Sequence, residues 1–234
     1  MARVRTKPEE LRAPIIGDPD YTAHNPYLGR ILSEYPEHFI LPEEAMKRKG
    51  NWAAHSSGLP LHLEIGCGKG RFISEYAASN RNAYIIGLEI KLKRLYKIAK
   101  KLSRLDNPNT CLMQFDASYL DRIFGSGELN KIFLFFPDPW FKKERQAHHR
   151  LVDEKFVART YNLLASGGEI EIKTDHPDYF MLLSEMFRSG GFKVKAESNN
   201  LHASPLAAGL IQTEFEILFA SKGMPCHYLL LQKP

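Results

Sequence analysis

The chain has little cysteine, and what it has is scattered. Cys67, Cys111 and Cys226 are an odd set with no CxxC spacing, which gives neither a disulfide framework nor a zinc motif. A reducing cytoplasm is the natural setting for such a sequence. No stretch approaches the ~20 consecutive apolar residues that a membrane span requires. The opening residues, MARVRTKPEELRAP, carry charge and proline but no apolar core, so a secretory leader is not expected. Internal repeats and low-complexity tracts are absent as well.

What remains is the composition of a protein that buries a core: 44% of the 234 residues are hydrophobic and 25% charged, which fits one globular domain with a modest extension. The net charge of +5 is less telling than its distribution. Lys91, Lys93, Arg94, Lys97, Lys100, Lys101 and Arg104 follow one another without an intervening acid, and Lys142, Lys143, Arg145 and Arg150 form a second group with His148 and His149. Concentration of this kind suits a polyanionic partner. The two histidines read as phosphate-facing or solvated, since a metal role would need partners the sequence does not offer.

Residues 1–50 are proline-rich with no clear period and read as an extension, partly disordered or packed on the main domain of residues 51–234. From about residue 60 apolar strands alternate with helical stretches. LHLEI (61–65), AYIIGLEI (83–90), TCLMQF (110–115), KIFLFF (131–136) and GEIEIK (168–173) read as strands, with GRFISEYAAS, LKRLYKIAKKLSRL and LVDEKFVARTYNLLA as helices between them. In the second helix Leu95, Ile98, Leu102 and Leu105 recur at helical spacing, leaving the basic residues on the remaining face. This alternation predicts an α/β fold with a mostly parallel, doubly wound sheet. FKVKAES (192–198), TEFEILFA (213–220) and HYLLLQK (227–233) follow, and two strands here with only a loop between them suggest an antiparallel C-terminal pair.

The first strand runs into Glu64-Ile65-Gly66-Cys67-Gly68-Lys69-Gly70 just before a helix. Glycines at such a turn let the backbone bend sharply and approach a ligand. A dinucleotide fingerprint would want Gly or Ala where Arg71 stands, which argues against a nicotinamide enzyme. An acid followed by GxGxG looks like motif I of the S-adenosylmethionine-dependent methyltransferases, where Gly66, Gly68 and Gly70 shape the turn and Glu64 helps to position the methionine amino end. Glu89, at the end of strand two, stands roughly ~20 residues on, where an acid accepts from ribose hydroxyls. Asp116, at the end of strand three, stands where the adenine amino group would lie in that class. Lys69 reads as a solvated helix-start lysine and Cys67 as a small filler.

Strand four leads into Phe136-Pro137-Asp138-Pro139-Trp140-Phe141-Lys142-Lys143. Two flanking prolines give Asp138 a rigid placement; Trp140 offers a face for a base, or else caps the sheet, and the lysines can meet phosphate. Tyr179 and Phe180 read as core residues.

With LEIGCGKGRF, YIIGLEI, FFPDPWFKK, EIEIKTDHPDYF and QTEFE in hand, the sequence resembles the bacterial tRNA (guanine-N7-)-methyltransferases over roughly residues 60–232. That resemblance implies a Rossmann-like class I methyltransferase fold, S-adenosyl-L-methionine as cofactor, tRNA as partner and guanosine 46 of the variable loop as target. It implies that Glu64, Glu89, Asp116 and Asp138 contact or frame the cofactor and that Asp138 is catalytic. Lys142, Asp175, Thr213, Glu214, Phe215 and Glu216 match its substrate-binding positions. The chain departs from the family's usual spelling with Phe141 after Trp140, with the segment Glu144-Arg145-Gln146-Ala147 and with His176 in place of Asn. A cytoplasmic monomer or homodimer without a metal is expected. Two alternatives stay open: a methyltransferase acting on another RNA or a small molecule, and a non-catalytic RNA-binding scaffold on the same fold.

Overall fold

A computed structural model describes residues 25–105, 108–140 and 150–234. Seven strands form one sheet: β1 (Leu61–Ile65), β2 (Tyr84–Leu88), β3 (Thr110–Met113), β4 (Leu129–Phe135), β5 (Leu164–Thr174), β6 (Lys193–Ser198) and β7 (His227–Gln232), in the order β3-β2-β1-β4-β5-β7-β6. The first five run parallel, and β7 pairs antiparallel with both β5 and β6. The expected doubly wound sheet with an antiparallel C-terminal pair is therefore present. The order reverses between β1 and β4, and the crevice beyond the carboxyl ends of these two strands is where open α/β sheets take ligands.

Helices among the described residues are α1 (Pro26–Glu34), α2 (Pro42–Arg48), α3 (Trp52–His55), α4 (Arg71–Ser79), α5 (Leu92–Leu102), α6 (Glu154–Leu163), α7 (Pro177–Ser189) and α8 (Glu214–Ala220). Alternate strand residues point to opposite faces, and the core divides accordingly. Leu61, Leu63, Ile65, Ile86 and Leu88 pack with α6 and α7 on one side. Ile85, Leu112 and Phe133 pack with α1, α4 and α5 on the other. No helix among the described residues is long and apolar enough to cross a membrane.

Helix α5 buries Leu92, Leu95, Tyr96, Ile98, Ala99 and Leu102, while Lys93, Lys97, Lys100 and Lys101 are exposed. Within residues 25–50, α1 lies against α5. Its Ile31 is buried, and Tyr96 packs against Tyr27 and Tyr35 and donates to Glu34 at 2.7 Å.

One segment left unassigned by its apolar pattern is settled by its local hydrogen bonds. Residues 213–220 resemble a strand by their apolar content but form helix α8, and the antiparallel pair is β6 with β7. Thr213 and Glu216 make a capping box: the Thr213 hydroxyl accepts from Glu216 N–H at 3.1 Å, and the Glu216 carboxylate accepts from Thr213 N–H at 3.3 Å. This exchange satisfies two helix-start donors and decides between helix and strand for a short run of ambiguous period.

Candidate active site

Five acids stand at the carboxyl ends of the five parallel strands: Glu64 on β1, Glu89 after β2, Asp116 after β3, Asp138 after β4 and Asp175 after β5. The turn after β1 needs its glycines. Gly66, Gly68 and Gly70 have φ of +82°, +55° and +76°, the left-handed region that other residues enter at a cost. At Gly70 space is limiting too, because a Cβ would stand 2.5 Å from Cγ1 of Ile98 on α5. The turn is also tied from outside, since the Lys101 ammonium donates to the Lys69 carbonyl at 2.6 Å. Cys67 is buried and fills space beneath the turn, as expected.

Glu89 is buried and accepts three hydrogen bonds. Its Oε2 accepts from Gly68 N–H at 3.1 Å and from Arg94 at 3.1 Å, and its Oε1 accepts from Lys91 N–H at 3.0 Å. Three bonds leave a carboxylate room for one more donor. Asp116 Oδ1 accepts from Ser118 N–H at 2.8 Å, beginning the short 3-10 helix Ala117–Arg122.

Glu64 differs from both. It is 4% exposed and its Oε2 has no hydrogen-bond partner. Burial pushes its carboxyl up to about 8; the Cys67 thiol opposes the rise, and the nearby carboxylates of Glu214 and Glu89 add to it. A buried acid with an unsatisfied oxygen beside a Gly-rich turn suits a cationic partner. Together with the carboxylate after β2, this donor set fits a cofactor carrying an ammonium at one end and ribose hydroxyls further along.

The loop after β4 is held in an uncommon backbone. Phe136 and Trp140 have φ of +52° and +46° although neither is glycine, a conformation that persists where surrounding contacts over-determine it. Phe136 N–H donates to the Lys173 carbonyl at 2.7 Å, and Arg150 Nε donates to the Pro139 carbonyl at 2.8 Å. Between these ties Asp138 is exposed, and Trp140 is 39% exposed, which excludes a buried cap. Lys142 lies outside the described residues, as do His148 and His149. Tyr179 and Phe180 are buried in the core; the Tyr179 hydroxyl is pushed up by burial, with Arg150 opposing and Asp138 adding. His176 serves as an Asn would: its Nδ1 accepts from Tyr179 N–H at 3.4 Å and caps α7, next to half-buried Asp175.

The segment Thr213–Glu216 divides by role. Thr213 and Glu216 are buried in the capping box. Glu214 Oε1 accepts from Arg71 N–H at 3.0 Å, while Arg71 Nε donates to the Gln212 carbonyl at 3.1 Å. With Gly70 at its N-cap, α4 has no side-chain cap of its own. Glu214 supplies one from α8 and joins the Gly-rich turn to the C-terminal helix. Phe215 is 48% exposed at the crevice rim, within ring contact of Phe136 and Phe219.

Sequence reasoning missed Lys173. Its ammonium lies in the sheet core, 0% exposed, 2.8 Å from Glu216 Oε2 and 3.0 Å from the Ile211 carbonyl. No local signal marks it, since Lys173 shares the parity of Glu169 and Glu171 on β5 and reads in sequence as part of a polar face.

A family model described as "Putative methyltransferase" matches residues 59–229. The tRNA (guanine-N(7)-)-methyltransferase of Brevibacillus brevis is 35% identical over 193 residues, covering 82% of this chain and 88% of its own. That of Listeria welshimeri is 36% identical, covering 88% and 95%, and that of Lachnoclostridium phytofermentans 33%, covering 92% and 94%. Among solved structures, the antibiotic-resistance methyltransferase Kmr superposes with a TM-score of 0.54 at 16% identity, covering 79% of this chain and 92% of its own. That likeness establishes the class I methyltransferase fold.

Proposed function

The chain belongs to the tRNA (guanine-N(7)-)-methyltransferase family, and from that premise we propose that it transfers the methyl group of S-adenosylmethionine to N7 of a guanine in tRNA. The observation that carries the proposal is the convergence of five strand-end acids on one crevice, with Glu64 buried and unsatisfied at its floor. When bound, S-adenosylmethionine supplies an electrophilic methyl group on a sulfonium. Glu64 would receive the ammonium end, and the remaining acceptor capacity of Glu89 the ribose hydroxyls. Asp116 would read the adenine amino group.

Guanine N7 has an in-plane lone pair and no proton, so attack on the methyl group needs no general base. It needs alignment, which by itself can account for a large share of a barrier. Asp138, exposed on its braced loop, and Asp175 on the neighbouring strand end would accept from guanine N1–H and N2–H and aim N7 at the methyl group. Glu216 is left out of this role because Lys173 and the capping box already engage it in the core. A carboxylate beside the ring also stabilises the positive charge that develops there. Exposed Trp140 and Phe215 offer faces for an unstacked base, and the lysines of α5 offer phosphate contacts.

The test is incubation of the protein with methyl-labelled cofactor and unmodified tRNA transcripts, followed by digestion to nucleosides and mass identification. Label in 7-methylguanosine, lost in Asp138→Ala, is the expected result. Cofactor binding with no labelled RNA across a mixed transcript pool would move the reading to another acceptor. No cofactor binding would favour a non-catalytic scaffold.

A further inference from the structure

Behind α8, three side chains from separate elements converge. His202 comes from the 3-10 turn Leu201–Ala203, Glu216 from α8 and Cys226 from the residue before β7. One ligand atom from each lies within 4.8 Å of the other two, the only such set of His, Cys, Asp and Glu among the described residues. Glu216 and Cys226 are buried. The His202 Nε2 atom is itself buried with no hydrogen-bond partner, and the Glu216 Oε1 is 3.8 Å away. The two oxygens of Glu216 therefore face different groups. Oε2 takes Lys173 and Thr213 N–H, leaving Oε1 turned toward His202.

We propose that His202 Nε2, Glu216 Oε1 and Cys226 Sγ form a binding site for one divalent ion of the zinc class. A nitrogen, a carboxylate oxygen and a thiolate are the zinc donor set, and the sulfur disfavours calcium and magnesium. Tetrahedral coordination at zinc bond lengths sets donor-to-donor edges of roughly 3.3–3.6 Å, so atoms that lie within 4.8 Å of one another need to close by up to about 1.5 Å. Charge is accommodated as well. The thiol gives up its proton on binding, so ion, thiolate, Glu216 carboxylate and Lys173 together carry one net positive charge, and the Asp175 carboxylate is near enough to Cys226 to offset it. The bound ion would staple the turn at 201–203, helix α8 and the start of β7. The surrounding core is small, being centred on Leu201, Cys226 and Tyr228, and minor cores are where such a staple contributes most. A fourth position is left for water. The site stands independently of the methyltransferase reading, because its ligands lie outside the proposed transfer chemistry.

The experiment is titration of chelator-treated, full-length protein with Co(II) alone, read by absorption. One equivalent should give a thiolate-to-cobalt charge-transfer band that zinc then bleaches. The band should vanish in C226S, persist in C111S, and need at least tenfold more cobalt in H202N. Circular dichroism of each variant distinguishes a lost ligand from a lost fold, and C226A serves if C226S is misfolded. Because thiol deprotonation accompanies binding, the cobalt affinity should rise with pH between 6 and 8. No band in the wild-type protein, or a band that survives in both Cys226 variants, would overturn the assignment.

Discussion

Glu64→Gln is the perturbation whose outcome the structure fixes most closely. In the folded, cofactor-free protein the Glu64 carboxyl titrates at about 8, against 4.5 for an exposed glutamate. The folded state therefore holds this proton across a window in which the unfolded chain has released it. A carboxyl raised on folding contributes stability that is fully present below pH 4.5 and is lost as pH rises through 8. Across that window the loss is about 1.4 kcal/mol per pH unit, on the order of 5 kcal/mol in all. Glutamine keeps the shape and cannot ionise. Subtracting the wild-type denaturation free energy from that of Glu64→Gln cancels the other titrating groups, which the two proteins share. The difference should move steadily in the variant's favour from pH 5 to 8 and then level off. Urea melts at half-unit pH intervals measure it directly. A difference that stays flat over this range would refute the claim that Glu64 is buried without a compensating charge. The same proton predicts linkage on binding: if the cofactor's ammonium meets this carboxylate, binding near pH 7 releases a proton. Calorimetry in buffers of different ionisation enthalpy should detect it in the wild type and not in the variant.

Gly70→Ala forces a Cβ against Ile98 at a positive φ and should cost about 1–3 kcal/mol in chemical denaturation, with Ile98→Val returning part of the loss. Lys173→Met leaves Glu216 buried and unpaired and should cost roughly 3–5 kcal/mol, while replacing both members with apolar residues should cost much less; equal costs would deny the pair. For RNA binding, Lys93→Glu with Lys97→Glu should weaken tRNA affinity and reduce its dependence on salt by about one logarithmic slope unit per charge contact removed. Lys101 is avoided because it holds the Gly-rich turn. An unchanged slope would reduce the basic face of α5 to solubility.

The parallel half of this fold was legible because its signals are local. Strands β1 to β4 are short apolar runs each ended by turn chemistry, and α5 announces itself through the spacing of Leu95, Ile98 and Leu102. The strand-end acids could be read for the same reason, since their place follows from where each strand stops. Residues 213–220 were assigned to neither helix nor strand, although the Thr213-x-x-Glu216 box is a helix-start signature visible in the sequence. Lys173 was harder. Its partner is 43 positions away, and only the folded sheet brings the two together.

The acids that could be read in the sequence do not all do the same work, and their hydrogen bonds separate them. Glu89 holds Gly68 N–H, Lys91 N–H and Arg94, so it shapes the crevice even with no ligand present. Asp116 begins a 3-10 helix, and Glu214 caps α4 from across the crevice. Each fixes a backbone segment against which a ligand can be measured. Glu64 fixes nothing through Oε2, and Asp138 stands exposed on a loop whose backbone is strained and braced at both ends. Preorganisation needs both kinds of group: anchors whose bonds are complete before the ligand arrives, and acceptors left open for it. By that division the Gly-rich turn and α8 are parts of one scaffold, joined at Arg71 and Glu214. A substitution at Glu214 should then loosen cofactor and tRNA binding together, whereas one at Asp138 should leave that scaffold intact.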